Sequence, residues 1–443
     1  MKIRSLQQVC HDLHKVSLIR ELSGLLSAGQ TCFLVGGAIR DAFLGRICND
    51  FDFVTPFDPT CLAQKLARHL SGTWFFLDEK RRQSRIVVSL CDGQLLCDFG
   101  TLRSMSLFED LSLRDFTVNA TAMRIRADIK PDDFYDPLNG LSDLSLGQLA
   151  VCSERVLCSD PLRTLKGIRH CKVLHLTATE KTMELMRVSA PLLQRVAKER
   201  VRKEIGLLLN DEEPATVFRW LHVIGLAQAI FGEWIGERQF TVVMDSLETF
   251  GRNIQEVMAS EKARSFLKIM QEEFEDGFSR QTTLTLGVIL QGRPIGDVQR
   301  VISGLKLSRM TSKALLGYWS LASSKLAELS RLRCGFRGRF WWVSGLGSDP
   351  VGCLFFLACN TSEYRPELFM HVSSLVEEYK RAETITDLVD GNWLCQHLEM
   401  KPGPLVGEAL HALRCEEIAG RVHSAEQARE FLRLRSKKSV DNS

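Results

Sequence analysis

The pattern of apolar and polar positions changes character near residue 150. Before that point, short strand-like runs dominate. Thr31–Val35 is an apolar run ending at Gly36-Gly37, and Asp50–Thr55 alternates with period two, the mark of a strand with one buried face. Thr73–Leu77, Ser84–Leu90 and Leu95–Phe99 read as three further strands, the last two joined by the turn Cys91-Asp92-Gly93. Between them, Ala38–Arg46 puts Ile39 and Phe43 on one helical face, and Pro59–Leu70 gathers Leu62, Ala63 and Leu66 on another. After about residue 155 the apolar residues recur three and four apart, which predicts helices over Thr179–Val188, Lys198–Leu209 and Ala215–Leu226. Thr179 suits an N-cap, with Glu180 in the first turn where negative charge is favoured. Polar linkers fall at Asn210–Pro214 and Gly345–Pro350, and the polar tail Ser436–Ser443 is expected to fray.

The fold this predicts is an α+β head, a small mixed sheet with helices, followed by an all-α neck, body and tail. The expected divisions are a helical leader over 1–28, a head over 29–150, a neck over 151–214, and a body and tail over 215–443. A length of 443 residues is consistent with about three domains. Hydrophobic residues at 45% and charged residues at 25% exclude a largely disordered chain. No apolar run reaches the ~18 residues that span a bilayer, and the N-terminus is too interrupted by charge for a signal peptide. The 14 cysteines contain no C-x-x-C pair, which argues against a zinc ribbon or a disulfide framework. They read as reduced, mostly buried thiols of a cytoplasmic protein.

The net charge of +3 is uninformative until it is divided. Residues 1–150 carry −1, residues 151–210 carry +6 and residues 211–443 carry −2, so the basic excess is local. A surface facing a row of phosphates has that character.

The densest chemical signal runs from Gly36 to Asp52, GGAIRDAFLGRICNDFD. Asp50 and Asp52 lie two apart on a predicted strand, so both carboxylates leave one face about 6.5–7 Å apart. Such a pair suits hard cations, and two Mg²⁺ ions would stabilise the attacking and leaving oxygens of an in-line phosphoryl displacement. Gly36-Gly37 closes a strand and opens a helix, where bare backbone N–H groups meet a triphosphate with no Cβ in the way.

This segment resembles the nucleotidyltransferase motif of the polymerase β superfamily, and more narrowly that of the class II tRNA nucleotidyltransferases and bacterial poly(A) polymerases. The family pattern G-G-x-x-R-D-x-x-L-G-x-x-x-x-D-x-D matches at Gly36, Gly37, Arg40, Asp41, Leu44, Gly45, Asp50 and Asp52. Leu113–Ala122, LRDFTVNATA, is similar to the second motif. The resemblance implies that Arg114 neutralises triphosphate oxygens and that Asp115 and Asn119 fix a ribose hydroxyl. Phe134–Leu149 resembles the third motif, with Asn139 where a second glycine is usual beside Gly140. Asn also tolerates left-handed turns. A third carboxylate is common in the superfamily on a neighbouring strand. Asp98 in LLCDFG is the best placed, with Asp92 and Glu109 as competitors.

Ser159–Arg163, SDPLR, falls where the family carries E-D-x-x-R. The resemblance implies that Asp160 and Arg163 read the Watson–Crick edge of the incoming base, and their spacing puts them on one face if both are helical. Ser159 replaces the usual Glu, and Lys166, Gly167 and His170 depart from the usual R-A-x-R-F run. Val196–Leu209 resembles the fifth motif at Glu199, Arg200 and Glu204, which read as a supporting helix.

Two other signals carry less. His11-Asp12 lacks the further ligands of a metal phosphohydrolase, and Thr283–Gly292 has no H-D pair where many relatives have an HD domain. Arg331–Trp342, RLRCGFRGRFWW, fits either a stacking RNA clamp or a buried aromatic helix with a basic rim. The reading is a template-independent RNA 3′-end nucleotidyltransferase. It would use Mg²⁺, take ATP and CTP, and extend a tRNA or another RNA; no feature points to a protein partner. Poly(A) polymerases of the family carry L-[IV]-G-[RK]-[RK]-F. Phe76–Val88, FLDEKRRQSRIVV, lacks that glycine and phenylalanine, which favours tRNA. CCA, CC-only, A-only and poly(A) addition all stay open, as does a catalytically inactive RNA-binding protein on the same scaffold.

Overall fold

The computed structural model describes residues 3–91, 93–321, 323–332, 336–383, 388–398, 400–418 and 420–440. Asp92 and residues 441–443, at the predicted turn and the end of the tail, lie outside them. The chain forms two compact units, one of residues 1–208 and 217–233 and the other of 209–216 and 234–443.

The first unit is built on a mixed sheet of β1 (Phe33–Val35), β2 (Asp50–Thr55), β3 (Thr73–Asp78), β4 (Gln83–Leu90), β5 (Gly93–Thr101), β6 (Ala122–Arg124) and β7 (Phe134–Tyr135). Their order is β3-β4-β5-β2-β1-β6-β7. β2 lies inside the sheet, antiparallel to β1 and parallel to β5. Its alternation explains the placement: Phe51 and Phe53 are buried, and Phe53 stacks on Phe99 of β5 at 4.9 Å. β6, only three residues long, shows no period in the sequence and forms by pairing with β1.

α1 (Leu6–Lys15) and α2 (Ser17–Leu25) pack on α3 (Gly37–Leu44) and α4 (Thr60–His69). α1 opens with a capping box in which Ser5 and Gln8 satisfy each other's backbone N–H groups. His11-Asp12 lies on α1, where Asp12 pairs with Arg4 at 2.5 Å. α5 (Leu107–Ser112) leads into the Arg114–Asn119 segment, and α6 (Gly140–Leu146) supports it from behind. Asn139 adopts φ 58°, the left-handed conformation that asparagine tolerates. Asp136 caps α6 by accepting from the N–H groups of Gly140 (2.7 Å) and Leu141 (2.9 Å).

Helices follow: α7 (Val156–Ser159), α8 (Leu162–Leu174), α9 (Glu180–Ser189), α10 (Lys198–Leu209), α11 (Pro214–Ile224) and α12 (Leu226–Phe231). Thr179 caps α9 through its hydroxyl, as its residue type predicts. The helix predicted over Ala215–Leu226 is α11, which stops at Ile224 because Gly225 turns left-handed at φ 85° and opens α12.

The second unit is built of helices, with a β-bridge between Glu273 and Ser279. It comprises α13 (Glu237–Met258), α14 (Ala263–Met270), α15 (Arg280–Leu290), α16 (Ile295–Leu305), α17 (Arg309–Ser320), α18 (Ser323–Arg331) and α19 (Phe336–Ser344). α20 (Pro350–Cys359), α21 (Pro366–Glu383), α22 (Gly391–His397), α23 (Pro404–Ile418) and α24 (Ala425–Val440) complete it. α15 is buried on every side, with Arg280 neutralised by Asp349 at 2.8 Å and Glu272 at 2.7 Å. Part of the Arg331–Trp342 run, 333–335, lies outside the described residues. Elsewhere in it, Arg339 pairs with Glu378 at 3.0 Å and Phe340 stacks on Tyr379 at 5.7 Å, so these two side chains serve internal packing. The helical backbone continues to Val440, past the point where polarity predicts fraying. No helix among the described residues is long and apolar enough to cross a membrane.

Gly140 is the tightest backbone approach in the head: a Cβ there would lie 2.0 Å from the carbonyl oxygen of Thr117. Gly140→Ala is therefore expected to lower stability by about 2–3 kcal/mol, measured by urea unfolding, whereas Asn139→Gly is expected to leave it within about 1 kcal/mol.

Candidate active site

Asp50 and Asp52 share the face of β2 opposite the buried phenylalanines and line a cavity of about 470 Å³. Gly36, Gly37, Arg40, Arg114, Asp115, Asn119, Asp160 and Arg163 line the same cavity. Ten of the eleven residues singled out in the sequence are thus brought together; Asp98 is the one outside the lining.

Asp98 faces Asp52 across the β2–β5 register and Arg85 across the β4–β5 register. Both its oxygens accept from Arg85, at 2.7 Å each. Its charge still reaches the pair. Partial burial and Asp98 raise Asp50 above the usual carboxylate range, against Arg85. Burial pushes Asp52 up to about 6, with Arg114 opposing and Asp50 and Asp98 adding to the effect. Of the competitors, Asp92 is outside the described residues, and Glu109 accepts from Ser104 at the start of α5. Among the described residues, neither Asp50 nor Asp52 has a hydrogen-bond donor on its carboxylate. Two desolvated, mutually repelling carboxylates with vacant oxygens fit a hard divalent cation.

Gly36 adopts φ 84°, ψ −143°, a region reserved for glycine, and a Cβ on it would lie 3.1 Å from Asp52 Oδ2 and 3.4 Å from Arg114 Nη1. Its N–H is not free for a phosphate, because it donates to Thr121 O at 3.3 Å. Gly36 contributes space; the N–H groups left over are those of the first turn of α3, which no side chain caps. Arg114 is buried, its Nη2 donates to the fully buried Asp110 at 3.2 Å, and its Nε has no partner among the described residues. An orphaned guanidinium N–H beside a helix start is suited to an anionic ligand.

Asp110 also accepts from the N–H of Arg103 at 2.9 Å, which holds a further cation at the cavity. Sequence reading missed both residues. Arg103 sits in a loop with no pattern, although Asp110 stands four residues before Arg114 on the approach to it, a spacing that pairs charges. Cys48, Lys166, Arg169 and His170 complete the lining, together with Asp41, which accepts from Arg40 Nε at 2.9 Å.

One sequence-based expectation is corrected. Asp160 and Arg163 do not share a helix face: Asp160 is extended at φ −143°, between α7 and α8. Pro161 follows it, and proline drives the preceding residue out of the helical region. The two residues still meet the same cavity. Asp160 accepts from Arg200 of α10 at 2.9 and 3.3 Å, and Arg163 donates to the carbonyls of Leu113 (3.1 Å) and Val156 (3.3 Å). Glu204 of α10 pairs with Arg169 of α8 at 3.0 Å, so α10 braces α8, the supporting role expected of it. Ser159 turns its hydroxyl back to Val156 O.

The site tests its own electrostatics. Asp52 binds its proton more tightly in the folded chain than at its ordinary value of 3.8, so its ionisation costs stability progressively as pH rises from about 4 to about 6. Asp52→Asn removes that cost. In metal-free buffer its melting temperature is expected to exceed that of the wild type above pH 6, and the gain should vanish below pH 4.

The chain matches the family model described as poly A polymerase head domain over residues 32–150, and the one described as probable RNA and SrmB-binding site of polymerase A over 175–235. It is 27% identical over 421 residues to a CC-adding tRNA nucleotidyltransferase of Geobacter sulfurreducens, covering 91% of this chain and 92% of that one. It is 26% identical to a CCA-adding enzyme of Streptococcus suis, covering 92% and 93%. Its fold is that of the Thermotoga maritima CCA-adding enzyme solved in complex with tRNA, with a TM-score of 0.65 at 22% identity over 98% of this chain and 99% of that one.

Proposed function

The chain belongs to the family of tRNA nucleotidyltransferases and poly(A) polymerases, and from that premise we propose that it adds CCA, or part of it, to the 3′ end of tRNA from CTP and ATP. The observation that carries this reading is the single cavity shared by the Asp50–Asp52 pair, the uncapped start of α3 and the Asp160–Arg163 pair. A nucleoside triphosphate has three parts, and each of these groups suits one of them.

Two Mg²⁺ ions held by Asp50 and Asp52 would supply Lewis-acid stabilisation of the reacting oxygens. The first-turn N–H groups of α3, with Arg114 and Arg103, neutralise the triphosphate. Asp115 accepts the ribose hydroxyl. Asp160 and Arg163 select the base, the acceptor and the fork of donors being matched to the exocyclic groups of cytosine and adenine. In the reaction the 3′-hydroxyl oxygen of the RNA bonds to the α-phosphorus, the bond from that phosphorus to the β-phosphate oxygen breaks, and pyrophosphate leaves while the hydroxyl proton goes to solvent. Asp98, held by Arg85, contributes its charge behind the pair. In this reading residues 29–150 form the catalytic head, 151–214 the base-selecting neck and 215–443 an RNA-binding body, in a cytoplasmic enzyme.

The decisive experiment offers tRNA ending in the discriminator base, in C or in CC, each with labelled CTP or ATP. Stepwise extension to CCA is expected; extension stopping at CC, acceptance of CC-ended tRNA alone, or long adenylate tracts would reassign the activity within the family. Asp50→Ala is expected to cost at least about 100-fold in incorporation rate, and an undiminished rate would exclude this mechanism.

The local charge excess gives a separate expectation. Arg195, Lys198 and Lys203 are exposed within the basic stretch. Replacing the three with Gln should weaken tRNA binding and lower the slope of log affinity against log salt by about 2–3, more than three equal changes outside 151–210.

A further inference from the structure

His170 stands in α8 with 8% of its surface exposed, at the wall of the cavity and in contact with the segment that carries Asp115 and Asn119. Its Nε2 lies 3.3 Å from Asn119 Nδ2. The orientation of that amide is set by its other partners. Asn119 Oδ1 accepts from Arg40 Nη1 at 2.5 Å, and Nδ2 donates to Asp115 Oδ1 at 3.1 Å. The second N–H on Nδ2 therefore points at His170 Nε2, which must accept, so the imidazole is neutral with its proton on Nδ1. Burial works in the same direction and pushes His170 down to about 3, with Asp115 opposing and Arg40, Arg169 and Lys166 reinforcing it.

The ring is also fixed in plane. Phe116 meets it edge-on at 5.7 Å. Phe116 occupies that place because residue 167 is glycine: a Cβ there would lie 2.9 Å from Phe116 Cζ and 2.6 Å from Met186 Cε. Gly167 and His170 thus act as a pair, the first making room for the ring that holds the second. Both depart from the R-A-x-R-F run that this stretch otherwise resembles.

Asp115 Oδ1 is engaged by two donors, the N–H of Phe116 at 2.8 Å and Asn119 Nδ2. Among the described residues no donor reaches its Oδ2. We propose that His170 is a positioning residue for sugar recognition: by accepting the second N–H of Asn119, it keeps that amide from turning onto Asp115 Oδ2 and so reserves this oxygen for the 2′-hydroxyl of a ribonucleotide. The inference rests on the nucleotidyltransferase reading and deepens it. It also ties α8, which carries Arg163, to the sugar-contacting pair, so base and sugar are read by one connected network.

The test uses the full chain, tRNA lacking its terminal nucleotides, and CTP or dCTP with Mg²⁺. The readout is the ratio of kcat/KM for CTP to that for dCTP, with melting temperature recorded for each variant. His170→Phe keeps the volume and removes the acceptor; it is expected to lower the ratio about tenfold, mainly through KM for CTP. His170→Gln, whose Oε1 reaches the place of Nε2, is expected to restore the ratio to within about threefold of the wild type. His170→Leu is a second variant without an acceptor, should His170→Phe fail to fold. An unchanged ratio in the folded Phe or Leu variant would overturn the proposal, as would equal losses in His170→Phe and His170→Gln. A wild type that incorporates neither CTP nor ATP would overturn the nucleotidyltransferase reading itself, and this inference with it.

Discussion

Everything at this site depends on a strand that buries one face to present the other. Phe51 and Phe53 anchor β2 in the core of the sheet, and the pleat then has no choice about Asp50 and Asp52. The carboxylates are drawn partly out of water by the same packing that positions them. Desolvation and the charge of Asp98 make their ionised forms costly, which is the condition under which a divalent cation binds well. A one-residue slip of β2 would place aromatic rings in the cavity and carboxylates in the core. The parallel pairing with β5 and the antiparallel pairing with β1 prevent that from both sides.

The cations around the cavity are held by a rule of their own. Arg114 is steadied by Asp110, Arg40 by Asp41 and Asn119, Arg163 by two backbone carbonyls, and Arg169 by Glu204. Among the described residues, Arg114, Arg163 and Arg169 keep part of the fork unengaged, whereas all three nitrogens of Arg40 are held. Long side chains immobilised before a ligand arrives lose little further entropy when it does, and that is how a polar, open site binds a flexible triphosphate. The supporting carboxylates are themselves buried or partly buried, so the arrangement has few alternatives.

Much of this was legible in the sequence, for identifiable reasons. The two carboxylates and the glycine pair announced themselves because strand period and helix start are local properties, and LRDFTVNATA carries its own turn. What was not legible depends on strand order and long-range approach. The engagement of Asp98 by Arg85 follows from β4 lying directly against β5, which no spacing encodes. Arg103 reaches the cavity only because Asp110, seven residues later, binds its backbone. The helical placement of Asp160 failed for a local reason: the three-residue spacing to Arg163 was read without the conformational veto of Pro161. His170 showed in the sequence as a departure from a pattern, yet its partner Asn119 is 51 residues away.

The break before Pro161 sets what holds Asp160 in the free protein. It lifts the Asp160 carboxylate out of both flanking helices, where Arg200 closes over it like a latch. That latch faces water: the Arg200 side chain is 52% exposed and that of Asp160 27%. An ion pair so placed contributes under about 1 kcal/mol, little enough for a competing donor to displace. In the proposed reading, the exocyclic amino group of cytosine or adenine displaces Arg200 from the Asp160 carboxylate. Any ligand group that reaches Asp160 thus meets a competitor that the protein supplies itself.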